Sequence, residues 1–439
     1  MFIFSNSLRR RYAVVPALAC ALLALPPLAV AQTSTPPTAP SGTAGALNTP
    51  NTPDSPISLR AALEAAWALH PASRASANRS AELQARAGAA QSLVSGSPSV
   101  GLAHRTDALS GDAGLREYEA EVAIPLWNPG VRGATQHQVA VDISALDWQQ
   151  SAERLKLAGE IRAAAAQVAL ARAEREWAAR KHLEATELAN DVERRVKAGE
   201  TARVDALQAR ASAQLAQGQL AQQDAALIRA QGQWRALTGQ SQVASLAEPL
   251  PGAAALTQST LVQNEHPALQ AAQAQVQSAR ARLALTEADR RDPMELGLGV
   301  TRERAAAGAN PETSVRFALR IPLGGDNRNA AKLAAALAEL DTAQAQADAA
   351  VRQLDADIAS AHAGLDAARQ QEALAAQRAT LSTQIQALVA KSYRLGESDL
   401  PTRMRADNEK LDADLSLARA RIELQRAISQ LNQSFGTLP

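Results

Sequence analysis

The sequence predicts a mainly α-helical chain with a small β part, built as two tandem repeats of long antiparallel coiled-coil helices plus β-hairpins. Three observations predict this class. Two long stretches lack proline and are rich in alanine, leucine, glutamine, glutamate and arginine, all of which favour helices. The same landmarks recur about 197 residues apart. Before each helical stretch, apolar and charged residues alternate in short segments, as they do in strands.

The two helical stretches each contain one break. The first runs over Gly130–Gly239 and breaks at residues 197–201, after an arm of 67 residues that would be on the order of 100 Å long. The second lies between Pro322 and Pro401 and breaks at residues 393–399. Each break is followed by a helix about half as long that folds back, so each stretch predicts a long helical hairpin with a tip.

The repeat is defined by four landmarks. An offset of 197 residues relates Gly199 to Gly396, Gly239 to Gly436, and the Ile-Pro-Leu run at 124–126 to that at 321–323. The His70-Pro71 and His266-Pro267 pairs are 196 residues apart. Agreement of four landmarks on nearly one offset indicates an internal duplication.

The chain begins with targeting and leader segments. Residues 1–31 read as a secretory signal peptide, because three arginines precede an apolar run that ends in Ala29-Val30-Ala31. A membrane anchor and lipidation of Cys20 are the alternatives. Residues 32–57 form a disordered leader rich in proline, threonine and serine. The first repeat is then 58–240 (strand pair about 98–125, tip 197–201), the linker 241–255, and the second repeat 256–436 (strand pair about 294–322, tip 393–399).

The alternating segments predict strands with two unlike faces. An ordinary surface hairpin would need a globular core to cover its apolar side, and only 3% of the residues are aromatic. Strands with one apolar and one charged face fit a membrane β-barrel. Four strands cannot close a barrel, so we expect copies to share it. The predicted lipid-facing residues are Tyr118, Val122, Phe317 and Leu319, and the predicted lumen residues are Glu117, Glu119, Glu121, Arg316 and Arg320.

Taken together, these motifs resemble the outer-membrane factor (TolC-like) family over about Leu59–Gly436. The marks are the opening Leu59…Ala62…Ala66…Pro71, the strand pairs ending in Ile-Pro-Leu, and the tip runs at 196–211 and 393–396. The resemblance implies a homotrimer with a 12-stranded outer-membrane β-barrel on an α-helical periplasmic tunnel. It also implies a periplasmic adaptor, an inner-membrane pump of the proton-driven type, and nearness to the cobalt–zinc–cadmium efflux subclass.

The tips are the predicted docking site for the adaptor, because they are the exposed non-helical points at the far end of the hairpins. Simple helix capping is the alternative reading of the same residues. The resemblance implies that Asp205 and Tyr393 hold the tip closed. It also implies an acidic pair at two positions where this chain has Thr402 and Arg405. The predicted docking residues are Gly199, Glu200, Tyr393, Arg394, Leu395, Gly396 and Glu397.

The expected function is passive export of small solutes, including divalent metal cations, across the periplasm and outer membrane of a Gram-negative bacterium. A drug-efflux channel, a type I protein-secretion channel and a periplasmic coiled-coil scaffold are the alternatives. Catalysis is not expected, because the six histidines are scattered and no nucleotide-binding or nucleophile motif occurs. We expect no cofactor and no metal site. The formal net charge of +1 does not indicate a nucleic-acid-binding protein.

Overall fold

The computed structural model describes residues 57–109, 111–251, 265–323 and 326–439. The predicted signal peptide with Cys20, the leader as far as residue 56, the end of the predicted linker and the start of the second repeat lie outside these residues. In chain order the elements are α1 (Leu59–Leu69), α2 (Pro71–Gln91), β1 (Ser99–Thr106), β2 (Arg116–Leu126), α3 (Val131–Lys197), α4 (Arg203–Thr238), α5 (Pro267–Ala288), β3 (Met294–Arg304), β4 (Glu312–Arg320), α6 (Asp326–Arg394) and α7 (Leu400–Ser434).

This order confirms the predicted class, a mainly helical chain in which a helix, a strand pair and a helical hairpin occur twice. The outgoing helices α3 and α6 have 67 and 69 residues, whereas the returning helices α4 and α7 have 36 and 35. The short helices α2 and α5 pack beside the parts of α3 and α6 that the shorter returning helices do not reach. Near the start of α3, Arg132 donates to the Gln91 carbonyl at the end of α2, and farther along Arg175 pairs with Asp224 of α4.

The two His-Pro pairs begin equivalent helices for the same reason. The Nδ1 atoms of His70 and His266 accept hydrogen bonds from the backbone N–H groups of Ala72 and Ala268. The proline that follows each histidine occupies the first helical position, where a missing N–H costs nothing. Each histidine is therefore an N-cap, which explains its recurrence in both repeats without any ligand.

The four strands form one antiparallel sheet in the order β1-β2-β3-β4. The two hairpins are joined through β2 and β3, with Glu121 opposite Gly299 and Ile124 opposite Leu296. The helices leave from one end of the sheet, and the described parts of the hairpin loops (107–109, 111–115 and 305–311) lie at the other. Within the described chain, β1 and β4 each pair on one side only, so the sheet has two open edges.

The largest core cluster lies where α1, α3, α4 and the segment after α4 meet. Leu63, Ile161 and Trp234 are fully buried there, and the Trp234 indole N–H donates to the Gln242 carbonyl. Apolar residues of α3 supply much of this cluster, whereas several apolar residues of α6 are exposed within one chain. Both hairpins therefore keep part of their apolar surface uncovered in the single chain.

Candidate functional site: the sheet faces and the helical tips

The sheet has a charged face and an apolar face. Pleating places alternate side chains on opposite faces, and the observed register carries that alternation across all four strands. All five predicted lumen residues lie on the charged face: Glu117, Glu119, Glu121, Arg316 and Arg320. All four predicted lipid-facing residues lie on the apolar face, and they are exposed in the single chain: Tyr118, Val122, Phe317 and Leu319.

Ion pairs across strands order the charged face. Arg316 reaches diagonally over β3 to Glu119 (Nη1–Oε1 2.8 Å), Arg320 pairs with Glu295 (3.0 Å), and Arg105 lies 3.8 Å from Glu117. These pairs are solvated, so each adds at most about 1 kcal/mol. Their value to the site is positional, because they hold long charged side chains down on the sheet.

Two glycines leave room for those side chains. A Cβ added at Gly297 would lie 2.9 Å from the Glu121 Oε1 atom and 3.3 Å from the Ala318 Cβ. At Gly299 an added Cβ would lie 3.8 Å from the Arg316 Cβ and 3.9 Å from that of Glu121. The small residues create a groove of about 270 Å³ between charged side chains along the face. The face therefore carries paired charged side chains above a sheet surface of small residues.

The tips of the two helical hairpins use the same turn. Gly199 and Gly396 have φ values of 82° and 78°, which residues with a Cβ adopt only at a cost. The N–H groups of Glu200 and Glu397 donate to the carbonyls five residues earlier, and each glycine N–H donates to the carbonyl three residues earlier. Both turns are therefore Schellman motifs. Six of the predicted docking residues are exposed there: Gly199, Glu200, Arg394, Leu395, Gly396 and Glu397.

Tyr393 differs from its neighbours, because it is only 8% exposed. Its ring packs in a cluster with Val192, Ala209 and Leu400, and the Arg195 guanidinium lies 5.1 Å from the ring centroid. Burial raises the pKa of the Tyr393 hydroxyl, and the carboxylate of Asp205 acts in the same direction. The ring therefore connects the two hairpins within one chain and is not presented on the outer surface of the tip.

A buried polar network that the sequence did not predict lies near the middle of α3. Arg162 of α3 forms a bidentate ion pair with Glu248, with N–O distances of 2.7–3.2 Å, and the two side chains are 4% and 7% exposed. Arg162 also donates to the Gln433 Oε1 atom (2.6 Å) and to the Thr437 carbonyl (3.0 Å). The signal available in the sequence was an arginine directly after Ile161 within the long helical stretch.

In the described parts of the chain, no group of three His, Cys, Asp or Glu side chains is arranged to hold a metal ion. None of the described helices combines the length and apolar character needed to cross a membrane.

A family model described as outer membrane efflux protein matches residues 259–437, which is the second repeat. The second repeat is therefore similar to the outer membrane efflux protein family. The resemblance found in the sequence is therefore confirmed. The first repeat lies outside the match, but it has the same order of elements and equivalent tip turns as the second repeat.

Solved structures share the fold of this chain. The outer membrane protein VceC from Vibrio cholerae matches with a TM-score of 0.68 and 17% identity, covering 86% of this chain and 96% of VceC. CusC matches with a TM-score of 0.70 and 14% identity over 87% and 93% of the two chains. The CmeC outer membrane channel from Campylobacter jejuni matches with a TM-score of 0.69 and 15% identity, covering 92% of this chain and 94% of CmeC. A search of curated proteins gave no match.

The family match confirms the predicted outer-membrane location and efflux role, and it confirms that the chain is not an enzyme. The cargo, the cobalt–zinc–cadmium subclass, the domain boundaries and the roles of individual residues stay predictions.

Proposed function

We propose that three copies of this chain form the exit duct of a tripartite efflux system, with a shared 12-stranded barrel continued by a helical tunnel. The observation that carries the proposal is the four-stranded sheet with an exposed apolar face, a charged face and two open edges. Lipid cannot satisfy unpaired backbone groups, so a membrane sheet must close. Pairing β4 of one copy with β1 of the next closes it by rotational symmetry.

The helical region supports the same assembly. On α6, four large apolar side chains at helical spacing are exposed in the single chain: Leu374, Leu381, Ile385 and Leu388. On α4, Leu207, Leu215 and Ile228 are also exposed. A head-to-tail ring would bury both stripes, since α4 and α6 belong to different hairpins of one chain. Two separate exposed surfaces are what a heterologous interface requires.

The charged face indicates the kind of solute that passes. By register it carries six glutamates (Glu117, Glu119, Glu121, Glu295, Glu303 and Glu312) and three arginines (Arg105, Arg316 and Arg320). A lumen with excess negative charge favours cations over anions. We therefore propose small cationic solutes as cargo, with divalent metal cations as the first class to test and cationic drugs as the second. Type I protein secretion has no support from this face.

The tips are the proposed meeting point with an adaptor that links the duct to an inner-membrane pump. The exposed turn residues Leu395 and Glu397, with Gly199 and Glu200 of the other hairpin, would form the docking surface. Tyr393 and Asp205 would instead keep the two hairpins together and the tip closed. Burial of the Tyr393 ring against the first hairpin supports this division.

Cysteine cross-linking tests the assembly directly. One cysteine at Leu102 in β1 is combined in turn with a cysteine at Val315, Phe317 or Leu319 in β4, and outer-membrane fractions are oxidised. At least one pair should give a covalent ladder that ends at the trimer, whereas Leu102→Cys alone should give no ladder. Recovery of the chain only in the soluble periplasm, with no ladder from any pair, would favour the scaffold and defeat the proposal.

The tip is tested separately by export. Leu395→Asp should abolish export of a metal or drug cation while trimer yield stays normal, and Leu388→Asp on the exposed stripe of α6 should reduce the trimer itself. Normal export by the Leu395 variant would rule out docking at this turn.

A further inference from the structure

The apolar face of the sheet changes character at its hairpin-loop end. Arg116 lies opposite Arg304 on β3, and one row nearer the helices Tyr118 lies opposite Arg302. His104 of β1 lies opposite Tyr118 and stacks on its ring, with centroids 4.5 Å apart. We call Arg116, Arg302 and Arg304 the arginine rim. The rim lies on the same face as Val122 and Phe317, at the end of the sheet farthest from the helices.

The rim is an unbalanced positive charge. At the apolar-face positions of the four strands there is no aspartate or glutamate. Arg116 and Arg302 are exposed, and among the described residues neither has an ion-pair partner. The arginines of the charged face differ, because Arg105, Arg316 and Arg320 all pair with glutamates of the sheet. Arg116 and Arg302, which face outward, are therefore available to an external anion.

The backbone around the rim is held in place. Arg304 Nε donates to the Gly114 carbonyl (3.4 Å), and the Ala307 N–H donates to the Ala113 carbonyl (2.9 Å). These bonds connect the loop of the first hairpin to that of the second. The guanidinium groups therefore project from a fixed pair of strand ends, which lowers the entropy lost when an anion binds.

Apolar side chains lie directly beside the rim on the same face of the sheet. The next row toward the helices on this face contains Leu102, Ala120, Val300 and Val315. Side chains two residues apart on a strand are separated by about 6.8 Å, so an arginine can lay its methylene stem on this row and hold its charged group at the polar boundary. The stacked His104 and Tyr118 rings lie at the level where aromatic residues favour the membrane interface.

We propose that the arginine rim binds the phosphate groups of an anionic glycolipid in the outer leaflet of the outer membrane. Guanidinium groups bind phosphate through paired hydrogen bonds. An acidic peptide or free phosphate would match the charge but not the adjoining apolar rows, whereas a phosphorylated lipid matches both. The proposal rests on the proposed outer-membrane duct, in which the hairpin loops face outward because the helices extend into the periplasm.

Lipid binding by the purified full-length assembly tests the proposal. The probe is lipid A with both phosphates, titrated in detergent micelles and followed by native mass spectrometry, with dephosphorylated lipid A and phosphatidylcholine as comparison lipids.

A basic residue near a charged lipid surface contributes about fivefold in affinity. We expect Arg116→Gln with Arg302→Gln to weaken lipid A binding about 25-fold, and Arg116→Lys with Arg302→Lys to retain most of it. The matched control, Arg316→Gln with Arg320→Gln, removes the same charge from the opposite face and should bind like the wild type.

Two results would overturn the proposal. One is equal affinity of the rim glutamine variant and the wild type for lipid A. The other is binding of dephosphorylated lipid A by the wild type as tightly as the phosphorylated form. Failure of the proposed duct would be seen earlier and separately, as a wild-type protein that is absent from the outer-membrane fraction or is not a trimer.

Discussion

Replacing Arg162 tests how much one buried polar network stabilises the contact between the first repeat, the linker and the end of α7. Arg162→Ala would leave the Glu248 carboxylate buried at 7% exposure without its partner, and it would remove the hydrogen bonds to Gln433 and Thr437. Breaking a buried pair from one side costs about 3–5 kcal/mol. If the free energy of unfolding falls by about 3 kcal/mol per molar urea, the urea concentration at the unfolding midpoint should fall by roughly 1 M or more.

Two further variants separate charge from packing. Glu248→Gln should destabilise to a similar extent, because it leaves the Arg162 charge buried. The double variant Arg162→Met with Glu248→Met removes both charges, so it should recover part of the loss and leave about 1–3 kcal/mol for the unpaired Gln433 and Thr437 oxygens. The assay is urea unfolding followed by the helical circular dichroism signal. A midpoint for Arg162→Ala within 0.3 M of the wild type, or a double variant less stable than either single one, would refute the reasoning.

Three other predictions follow from single positions. Phe317→Arg should lower the trimer yield in the outer membrane, since an arginine in the middle of the lipid face costs about 2–4 kcal/mol, and Ser314→Arg on the charged face should be tolerated. Gly199→Ala should lower the free energy of unfolding by about 1–2 kcal/mol because of its φ of 82° alone, since nothing lies within 4 Å of the added Cβ. The control Gly232→Ala, inside α4, should raise the free energy of unfolding. Equal unfolding midpoints for the two variants would contradict this reasoning. Glu184→Gln should stabilise the contact between the hairpins at neutral pH, because burial raises the pKa of Glu184 and penalises its ionised form.

The sign of the Glu184 effect follows from the direction of its shift. Burial is the largest cause, and Asp407 and Asp414 also raise the pKa, whereas Lys410 and Arg180 lower it. A carboxyl whose pKa is raised by folding destabilises the folded state above that pKa and stops doing so as the pH falls to the ordinary value for glutamate. The difference between wild type and variant should therefore shrink as the pH falls from 8 to 4, and a difference that grows would contradict the assignment.

The sequence alone determined the features that depend on neighbouring residues. Helix length followed from the absence of proline, and the turn at each tip followed from a glycine at the break, which takes a positive φ in the structure. Both sheet faces followed from alternation, because the pleat has a period of two whatever the strand pairs with. The 197-residue offset connected the two copies before any contact was known.

The tertiary structure decided which distant residues meet. Arg162 is separated from Glu248 by 86 positions and from Gln433 by 271, and no local pattern encodes such a pairing. The burial of Tyr393 was equally hidden, because it depends on Val192 and Ala209 of the other hairpin. Pairing of β2 with β3 joined two predicted hairpins into one sheet and brought Arg302 beside Tyr118. Periodicity specifies which face of an element is apolar, but the partner of that face is chosen by the packing of the whole chain.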